Sequence, residues 1–319
     1  MSLARPSLCP RRLAHLTGVL KSLFRRAVIA TRLVALLSIA LPSAALAQNL
    51  VVGGKDFTEQ LLMAEMTRQL LASKGFDAER RSGFDTTSLR RAQEAGLIDI
   101  YWEYTGTSLR EFNKVAEQLD AKETYERVKK LDAEKGLIWL SPSRVNNTYA
   151  LAMRQVDASE RGIATISELA AQVLNGERIV FASNPEFYDR ADGLRPLEKA
   201  YGFAFGRDRV VRLDTDVIYQ VLRDLKLVHV GLVFATDGRL AAYDLAVLKD
   251  DRDFFPNYTM APVIRKQVLE QHPSLAAHLD RLASLLDNAT MARLNAMVDV
   301  GKVRIADVAS GFLRSNGLH

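Results

Sequence analysis

Short apolar runs alternate along the chain with segments in which apolar residues recur every three or four positions. The runs have strand length and predict strands at residues 50–52, 98–102, 178–182, 210–213, 228–234 and 245–248. Helical spacing is found at 124–135, 166–174 and 216–225, and from 262 to 318 the pattern is almost wholly helical. Strands that alternate with helices predict an α/β fold.

The first strand is followed by a loop with candidate chemistry. Gly53 and Gly54 end the strand, Asp56 and Glu59 have the spacing of a capping box, and the apolar positions that follow predict a helix up to Gly75. Lys55 therefore lies between a strand and a helix start, where free N–H groups and the helix dipole favour an anion. The alternative is that Lys55 is a solvated loop residue and Asp56 only a cap.

The first 47 residues have the organisation of a secretory signal peptide. A basic segment ends at Arg32, an apolar stretch of residues 33–41 follows, and Ala45-Leu-Ala47 fits the small-residue rule for cleavage before Gln48. The apolar stretch is shorter than the roughly 20 residues that a membrane span needs. We expect an exported, periplasmic protein. Its only cysteine, Cys9, belongs to the leader, so the mature chain forms no disulfide.

The charge of the chain is unevenly distributed. The formal net charge is +5, but seven basic residues and no acidic residue precede Gln48. The remainder has 36 basic and 38 acidic residues, a net charge of −2. The basic excess thus belongs to the leader, and nucleic acid is not an expected partner. With 48% hydrophobic and 25% charged residues, a disordered chain is also excluded.

The sequence contains no signature of catalysis, of a cofactor or of a metal site. Glycine-rich nucleotide loops, Gly-x-Ser-x-Gly and His-Glu-x-x-His are all missing. Glu103, Asp237 and His229 are the only plausible acid–base residues for an exported enzyme, and they have no evident nucleophile or metal partner. We therefore expect neither catalysis nor a cofactor. A structural or adhesive domain is the other alternative outside the binding proteins.

Several tyrosines lie in polar, loop-like surroundings. Tyr104 belongs to the segment 101–107, which follows a strand and ends in Thr-Gly-Thr, as expected of a loop that lines a cleft. Tyr149 follows Asn147, Tyr219 lies in a predicted helix, and Tyr243 follows the Thr-Asp-Gly-Arg segment 236–239. Taken singly, each of these tyrosines fits core packing better than ligand contact.

Four motifs occur in one order: Gly-Gly-Lys-Asp-Phe-Thr-Glu-Gln at 53–60, Asp-Ile-Tyr-Trp-Glu-Tyr-Thr-Gly-Thr at 99–107, Asn-Thr-Tyr at 147–149, and Ala-Thr-Asp-Gly-Arg-Leu-Ala-Ala-Tyr-Asp at 235–244. Together they resemble the substrate-binding proteins of osmoprotectant ABC importers, the glycine betaine, choline and carnitine group, and most of all its OsmF (YehZ) and ProX-like branch. The resemblance covers nearly all of the chain after the leader. It implies a two-lobed periplasmic binding protein, type II-like, with the ligand in a cleft between the lobes.

The resemblance also implies the division of the chain. Residues 48–147 plus 248–319 would form lobe 1 and residues 148–247 lobe 2. The expected function is capture of a quaternary ammonium solute, first of all glycine betaine, and delivery to the permease and ATPase of the importer. The protein is expected to act as a monomer. Choline, carnitine or an amino acid is the alternative ligand.

The resemblance implies ligand contacts as well. Tyrosines from both lobes surround the ligand's cation in this family, and by motif they would be Tyr104, Tyr149, Tyr219 and Tyr243. The ligand's carboxylate would be held by Lys55, Thr107 and Arg190, with Arg178 and Arg195 as nearby alternatives to Arg190, and Asn147 completes the expected site. Phe234 stands where some relatives carry tyrosine. Glu103 is expected to face away from Tyr104, as strand neighbours do.

Overall fold

Ten strands form two five-stranded mixed sheets in the computed structural model, which describes residues 49–224 and 227–319. The predicted signal peptide lies outside the described residues, and its role stays a prediction. Asn49–His319 form one compact unit. No helix in the described ranges is both long and apolar enough to cross a membrane.

The first sheet has the strand order β2-β1-β3-β10-β4. β1 pairs in parallel with β2 and β3, whereas β10 runs antiparallel to β3 and β4. Its strands are β1 (Leu50–Lys55), β2 (Ala78–Phe84), β3 (Ile100–Tyr104), β4 (Leu137–Trp139) and β10 (Met260–Arg265).

The second sheet has the order β7-β6-β8-β5-β9. β6 is parallel to β7 and β8, and β5 is antiparallel to β8 and β9. Its strands are β5 (Tyr149–Arg154), β6 (Phe181–Ser183), β7 (Val210–Arg212), β8 (Val230–Phe234) and β9 (Leu245–Leu248). The chain therefore passes from the first sheet to the second between β4 and β5, and returns between β9 and β10.

Helices connect and cover the strands. They are α1 (Thr58–Ser73), α2 (Thr86–Glu94), α3 (Thr105–Thr107, continued by the π-helical turn Ser108–Phe112), α4 (Ala121–Ala133), α5 (Gln155–Arg161), α6 (Ile166–Leu174), α7 (Pro185–Asp189), α8 (Leu194–Tyr201), a 3₁₀ turn (Arg207–Arg209), α9 (Thr215–Asp224), α10 (Arg239–Ala242), α11 (Lys266–Gln271), α12 (Ser274–Ser284), α13 (Asn288–Asp299) and α14 (Ile305–Ser315). The largest apolar cluster combines side chains from both sheets, among them Trp102, Phe181 and Met260.

The structure confirms most of the predicted elements, replaces part of the predicted helical region with a strand, and adds strands β2, β4 and β5, which the sequence does not predict. The runs at 210–213 and 245–248 are strands β7 and β9, and the helix at 166–174 has the predicted bounds. Residues 262–265, predicted as part of a helical region, belong to the buried strand β10 between β3 and β4. Strand β2 was not predicted, because its polar sequence Ala-Glu-Arg-Arg-Ser-Gly-Phe lies at the edge of the sheet and carries no apolar alternation.

Candidate binding site between the two sheets

A cavity of about 620 Å³ is lined by residues that belong to, or directly follow or precede, elements of both sheets. Its lining consists of Lys55, Asp56, Phe57, Gly83, Phe84, Asp85, Thr86, Tyr104, Thr107, Asn147, Tyr149, Asn184, Pro185, Glu186, Asp214, Thr215, Asp216, Val217, Phe234 and Tyr258. Its size is that of a site for a small molecule.

Five of the lining residues form an aromatic cluster: Phe57, Tyr104, Tyr149, Phe234 and Tyr258. Phe57 stacks on Phe234 with ring centroids 5.4 Å apart, and Tyr104 lies 6.3 Å from Phe57. Tyr149 lies 5.2 Å from Phe234 and meets Tyr258 edge-on at 5.5 Å. The cluster therefore presents several ring faces and edges to one cavity.

Strand ends bring these rings together. Tyr104 is the last residue of β3 and Phe234 the last of β8, while Tyr149 begins β5 and pairs with Phe234 across the ladder. Tyr258 approaches from the segment before β10 and packs on Gly106, where a Cβ atom would lie only 2.8 Å from the Tyr258 ring. This close approach explains the glycine in Tyr-Thr-Gly-Thr.

The structure brings two of the four predicted tyrosines, Tyr104 and Tyr149, to the cavity and leaves two outside its lining. Tyr219 is fully buried, its hydroxyl accepts the Phe234 N–H at 2.9 Å, and the Arg239 guanidinium lies 3.9 Å above its ring. It supports the Phe234 backbone instead of facing the cavity. Tyr243 packs beneath Arg223 at 4.4 Å. The geometry gives no support to a ligand contact by Tyr219 or Tyr243.

Of the cluster members, Phe57 and Tyr258 are not among the expected site residues, and the sequence marks Phe234 only as standing where some relatives carry tyrosine. Phe234 ends a correctly predicted strand beside a polar turn, which was a usable signal. The sequence predicts a capping box from Asp56 to Glu59, but Phe57 occupies the N-cap position itself, with extended backbone and no side-chain cap bond. Tyr258 carries no sequence signal of a site, because the pattern that follows it predicts helix instead of strand β10.

Of the other expected ligand contacts, Lys55, Thr107 and Asn147 lie in the cavity lining. Lys55 Nζ is 2.6 Å from Glu103 Oε1 and 5.2 Å from the centroid of the Tyr104 ring. Glu103, the strand neighbour of Tyr104, is completely buried and does not line the cavity, but its carboxylate reaches Lys55. Its side chain bends back, because its carboxylate also accepts the N–H of Tyr104 at 2.7 Å.

Arg190 does not line the cavity. Its guanidinium donates to Asp192 at 2.6 and 2.8 Å and to Glu186 at 3.0 Å, and it lies 5.4 Å from the centroid of the Tyr149 ring. Asp192 in turn accepts the hydroxyl hydrogen bond of Tyr258. Arg190 therefore supports two rings of the cluster and has its donors engaged within the protein. Of the two alternatives, Arg195 pairs with Glu198, and Arg178 is likewise outside the lining.

Next to the cluster lies a buried polar junction formed by Glu59, Asn147, Thr236 and Asn295. Glu59 Oε1 accepts hydrogen bonds from the Tyr104 hydroxyl at 2.7 Å and from Asn147 Nδ2 at 3.0 Å. Glu59 Oε2 accepts from the Thr236 hydroxyl at 2.5 Å and from Asn295 Nδ2 at 3.2 Å. Burial raises the pKa of Glu59 above its ordinary value, more than these hydrogen bonds lower it. The junction ties α1 and α13 to the turn that follows β8.

The Thr-Asp-Gly-Arg segment completes this contact. A Cβ atom at Gly238 would lie 2.4 Å from the Cβ of Ala296 on α13, so only glycine permits the observed approach. Arg239 donates to Asp237 at 2.6 and 2.9 Å and to Asp216 at 2.7 Å. The motif therefore has a structural role at the contact between the second sheet and α13.

The three residues considered for an enzyme are not assembled into a catalytic site. Glu103 pairs with Lys55, Asp237 with Arg239, and His229 Nδ1 accepts the backbone N–H of Val180 at 3.1 Å. In the part of the chain that the structure describes, no group of three or more His, Cys, Asp or Glu side chains is arranged to hold a metal ion.

An aromatic-lined cavity between two α/β halves is typical of proteins that bind small molecules. Residues 48–315 match the OpuAC family, described as the substrate binding domain of the ABC-type glycine betaine transport system. The chain belongs to this family. It is thus a substrate-binding component of an ABC importer and not an enzyme.

Individual relatives agree with this assignment. A protein of Pseudomonas aeruginosa named glycine-betaine-binding protein is 44% identical over 278 residues, which are 85% of this chain and 89% of that protein. The glycine betaine-binding protein YehZ of Escherichia coli is 36% identical over 294 residues, 89% of this chain and 96% of YehZ. The solved structure of apo YehZ matches with a TM-score of 0.64 and 34% identity, over 85% of this chain and 100% of that one. The predicted family and the two-lobed periplasmic binding protein fold are confirmed.

Proposed function

We propose that this chain captures a quaternary ammonium osmoprotectant, first of all glycine betaine, in the cavity between its two lobes. The observation that carries the proposal is the aromatic cluster. A trimethylammonium group carries a full charge but offers no N–H donor, so a hydrogen-bond acceptor gains little from it. Aromatic faces attract such a cation and cost little to desolvate. Each cation–π contact stabilises the bound cation by about 0.5–2 kcal/mol.

The charges of the lining support a cationic ligand group. Lys55 is the one basic side chain in the described lining. Of the five acidic side chains there, Glu186 and Asp216 are paired with Arg190 and Arg239, and Asp56, Asp85 and Asp214 remain. This excess of carboxylates raises the local concentration of a cation. Choline is the second candidate for this reason, because it presents the same cation without a carboxylate.

The carboxylate of a betaine would bind at the Lys55 end of the cavity. Lys55 and Thr107 both line it, and α1 begins beside them with its N-cap residue Phe57 making no side-chain cap bond. The helix start adds a partial positive charge. Arg190, which the resemblance implied as a carboxylate anchor, acts in this proposal through Tyr149.

The proposed context is import across the inner membrane. A signal peptide of residues 1–47 would direct the chain to the periplasm, where it would act as a monomer. Residues 48–147 with 248–319 and residues 148–247 would be the lobes that close on the ligand. A permease would receive the closed form, and an ATPase would drive transport. Ligand shifts the equilibrium towards closure by its greater affinity for the closed form.

Calorimetric titration tests the function. Glycine betaine, choline, carnitine, proline betaine and several amino acids are titrated into the mature protein under one set of conditions. The proposal expects heat of binding from at least one trimethylammonium compound, with betaine first, and none from amino acids that lack methylation. Binding of an unmethylated amino acid, with no response to any quaternary amine, would refute it.

A further inference from the structure

Glu103 stands directly behind the only basic side chain of the described cavity lining. Its Oε1 lies 2.6 Å from Lys55 Nζ and accepts the Tyr104 N–H, while Oε2 accepts the Tyr101 hydroxyl at 3.0 Å. Glu103 is fully buried and Lys55 is 4% exposed. The carboxylate is thus held by three donors of the protein and does not itself line the cavity.

This arrangement reduces the positive potential that a ligand carboxylate would meet. Two opposite unit charges in contact form a dipole whose field falls off faster than that of a lone charge. A carboxylate that reaches Lys55 also approaches Glu103, and a buried pair is screened little by solvent. A trimethylammonium group at the aromatic cluster does not depend on Lys55 and is not repelled by Glu103.

We propose that Glu103 determines specificity by lowering the affinity of the site for a ligand carboxylate. The ratio of the affinity for zwitterionic betaines to the affinity for purely cationic ligands is therefore smaller than it would be without Glu103. The inference rests on the function proposed above, since it presupposes a quaternary ammonium ligand. Glycine betaine and choline are the appropriate probes, because they share the cation and differ in carboxylate against hydroxyl.

The variant Glu103→Gln separates charge from shape. Glutamine has nearly the same volume and keeps an oxygen that accepts from Lys55 and Tyr104, but it leaves Lys55 without a counter-charge. A buried unpaired cation destabilises the protein, and the carboxylate of betaine supplies the missing partner. We expect betaine to bind at least threefold more tightly than to the wild type, while the affinity for choline changes less than twofold.

Calorimetry with both probes on the wild type, Glu103→Gln and the double variant Lys55→Met/Glu103→Gln tests this. In the double variant the ratio of the two affinities should stay within threefold of the wild-type ratio, because the pair is removed as a neutral unit. This variant also keeps the test decisive should Glu103→Gln fail to fold. Asp132→Asn is the matched control: Asp132 is equally buried and pairs with Arg90 at 2.7 Å, away from the cavity lining, and its loss should leave the ratio unchanged.

Two results would overturn the inference while the proposed function stands. One is binding of both probes by Glu103→Gln with an unchanged or lower betaine preference. The other is a tenfold or greater loss of betaine affinity in the double variant with choline unaffected, which would show that Lys55 acts as a full charge despite Glu103. If the wild type binds neither probe, the proposed function fails and the inference falls with it.

Discussion

Two adjoining regions join the halves of this protein, and they use opposite chemistry. In the aromatic cluster, Tyr104 and Tyr149 contact Phe57, Phe234 and Tyr258 by ring packing, and only the hydroxyls of Tyr104 and Tyr258 are held by hydrogen bonds, to Glu59 and Asp192. The Glu59 junction, which shares Tyr104 through its hydroxyl, satisfies each carboxylate oxygen with two directed hydrogen bonds. Non-directional ring packing dominates in the aromatic cluster, whereas directed hydrogen bonds dominate in the Glu59 junction.

The difference indicates that the two regions have different roles. Ring faces can exchange one apolar or cationic neighbour for another at little cost, which suits a surface that binds and releases a ligand. A buried carboxylate cannot lose a donor without a desolvation penalty. The junction therefore holds the backbone from which the rings project, and the two regions should respond differently to mutation.

Removing a ring should have the largest effect on binding. We expect Tyr149→Ala to weaken glycine betaine binding at least tenfold, since one desolvated cation–π contact of about 2 kcal/mol corresponds to about 30-fold in affinity. Tyr149→Phe keeps the ring and should stay within about threefold of the wild type. Titration calorimetry compares the three proteins, and equal affinities for all of them would exclude Tyr149 from the site.

Glu59→Gln should affect stability first and binding second. The side-chain amide places an NH₂ group where two donors already point, so one buried group loses its partner at a cost of about 1–3 kcal/mol. Betaine affinity should fall only a few-fold, because Tyr104 keeps its ring. Chemical denaturation measures the first effect and calorimetry the second.

Glu65→Gln provides the control on the same helix. Glu65 pairs with Arg68 at 2.7 Å outside the cavity lining, and its replacement should leave betaine affinity unchanged. A larger loss of affinity from Glu65→Gln than from Glu59→Gln would contradict the positioning role of the junction.

The junction should also show in the pH dependence of stability. The folded-state pKa of Glu59 is raised by burial. Its contribution to stability is therefore complete below the unfolded-state pKa of about 4.3 and is lost as the pH rises through the folded-state value. The unfolding free energy of the wild type minus that of Glu59→Gln should decrease from pH 4 to pH 7. A difference that increases over this range would show that the donors outweigh burial.

The smallest effect is expected at Tyr243, which the resemblance implied as a contact of the ligand's cation. Its ring packs under Arg223 and does not line the cavity. Tyr243→Ala should leave betaine affinity within twofold of the wild type, as measured by the same titration. A loss comparable to that of Tyr149→Ala would restore Tyr243 to the site and count against the cluster as defined here.

The sequence predicts the α/β fold, and it places three of the residues that line the cavity, because those features depend on local pattern. Lys55, Tyr104 and Thr107 follow the ends of predicted strands, where neighbouring strands bring loops together. Tyr149 and Asn147 came from motif resemblance. The same resemblance misplaced Tyr219, since helical position alone does not show that a tyrosine turns towards a core and holds the Phe234 N–H.

The remaining site depends on tertiary contacts that no local pattern reveals. Tyr258 reaches the cavity because β10 inserts antiparallel between β3 and β4, which no neighbouring residue indicates. Glu103 turns towards Lys55 because backbone and side-chain donors converge on it from β1 and β3. Glu59 has the spacing of a helix cap but serves a junction between distant segments.

The most direct test of the aromatic cluster is a crystal structure with arsenobetaine, in which a trimethylarsonium group replaces trimethylammonium and arsenic gives an anomalous signal. We expect the arsenic peak within about 6 Å of the ring centroids of Tyr104, Tyr149, Phe234 and Tyr258. An arsenic peak beside Tyr219 or Tyr243, or outside the cavity altogether, would contradict the assignment of the cation site to these rings.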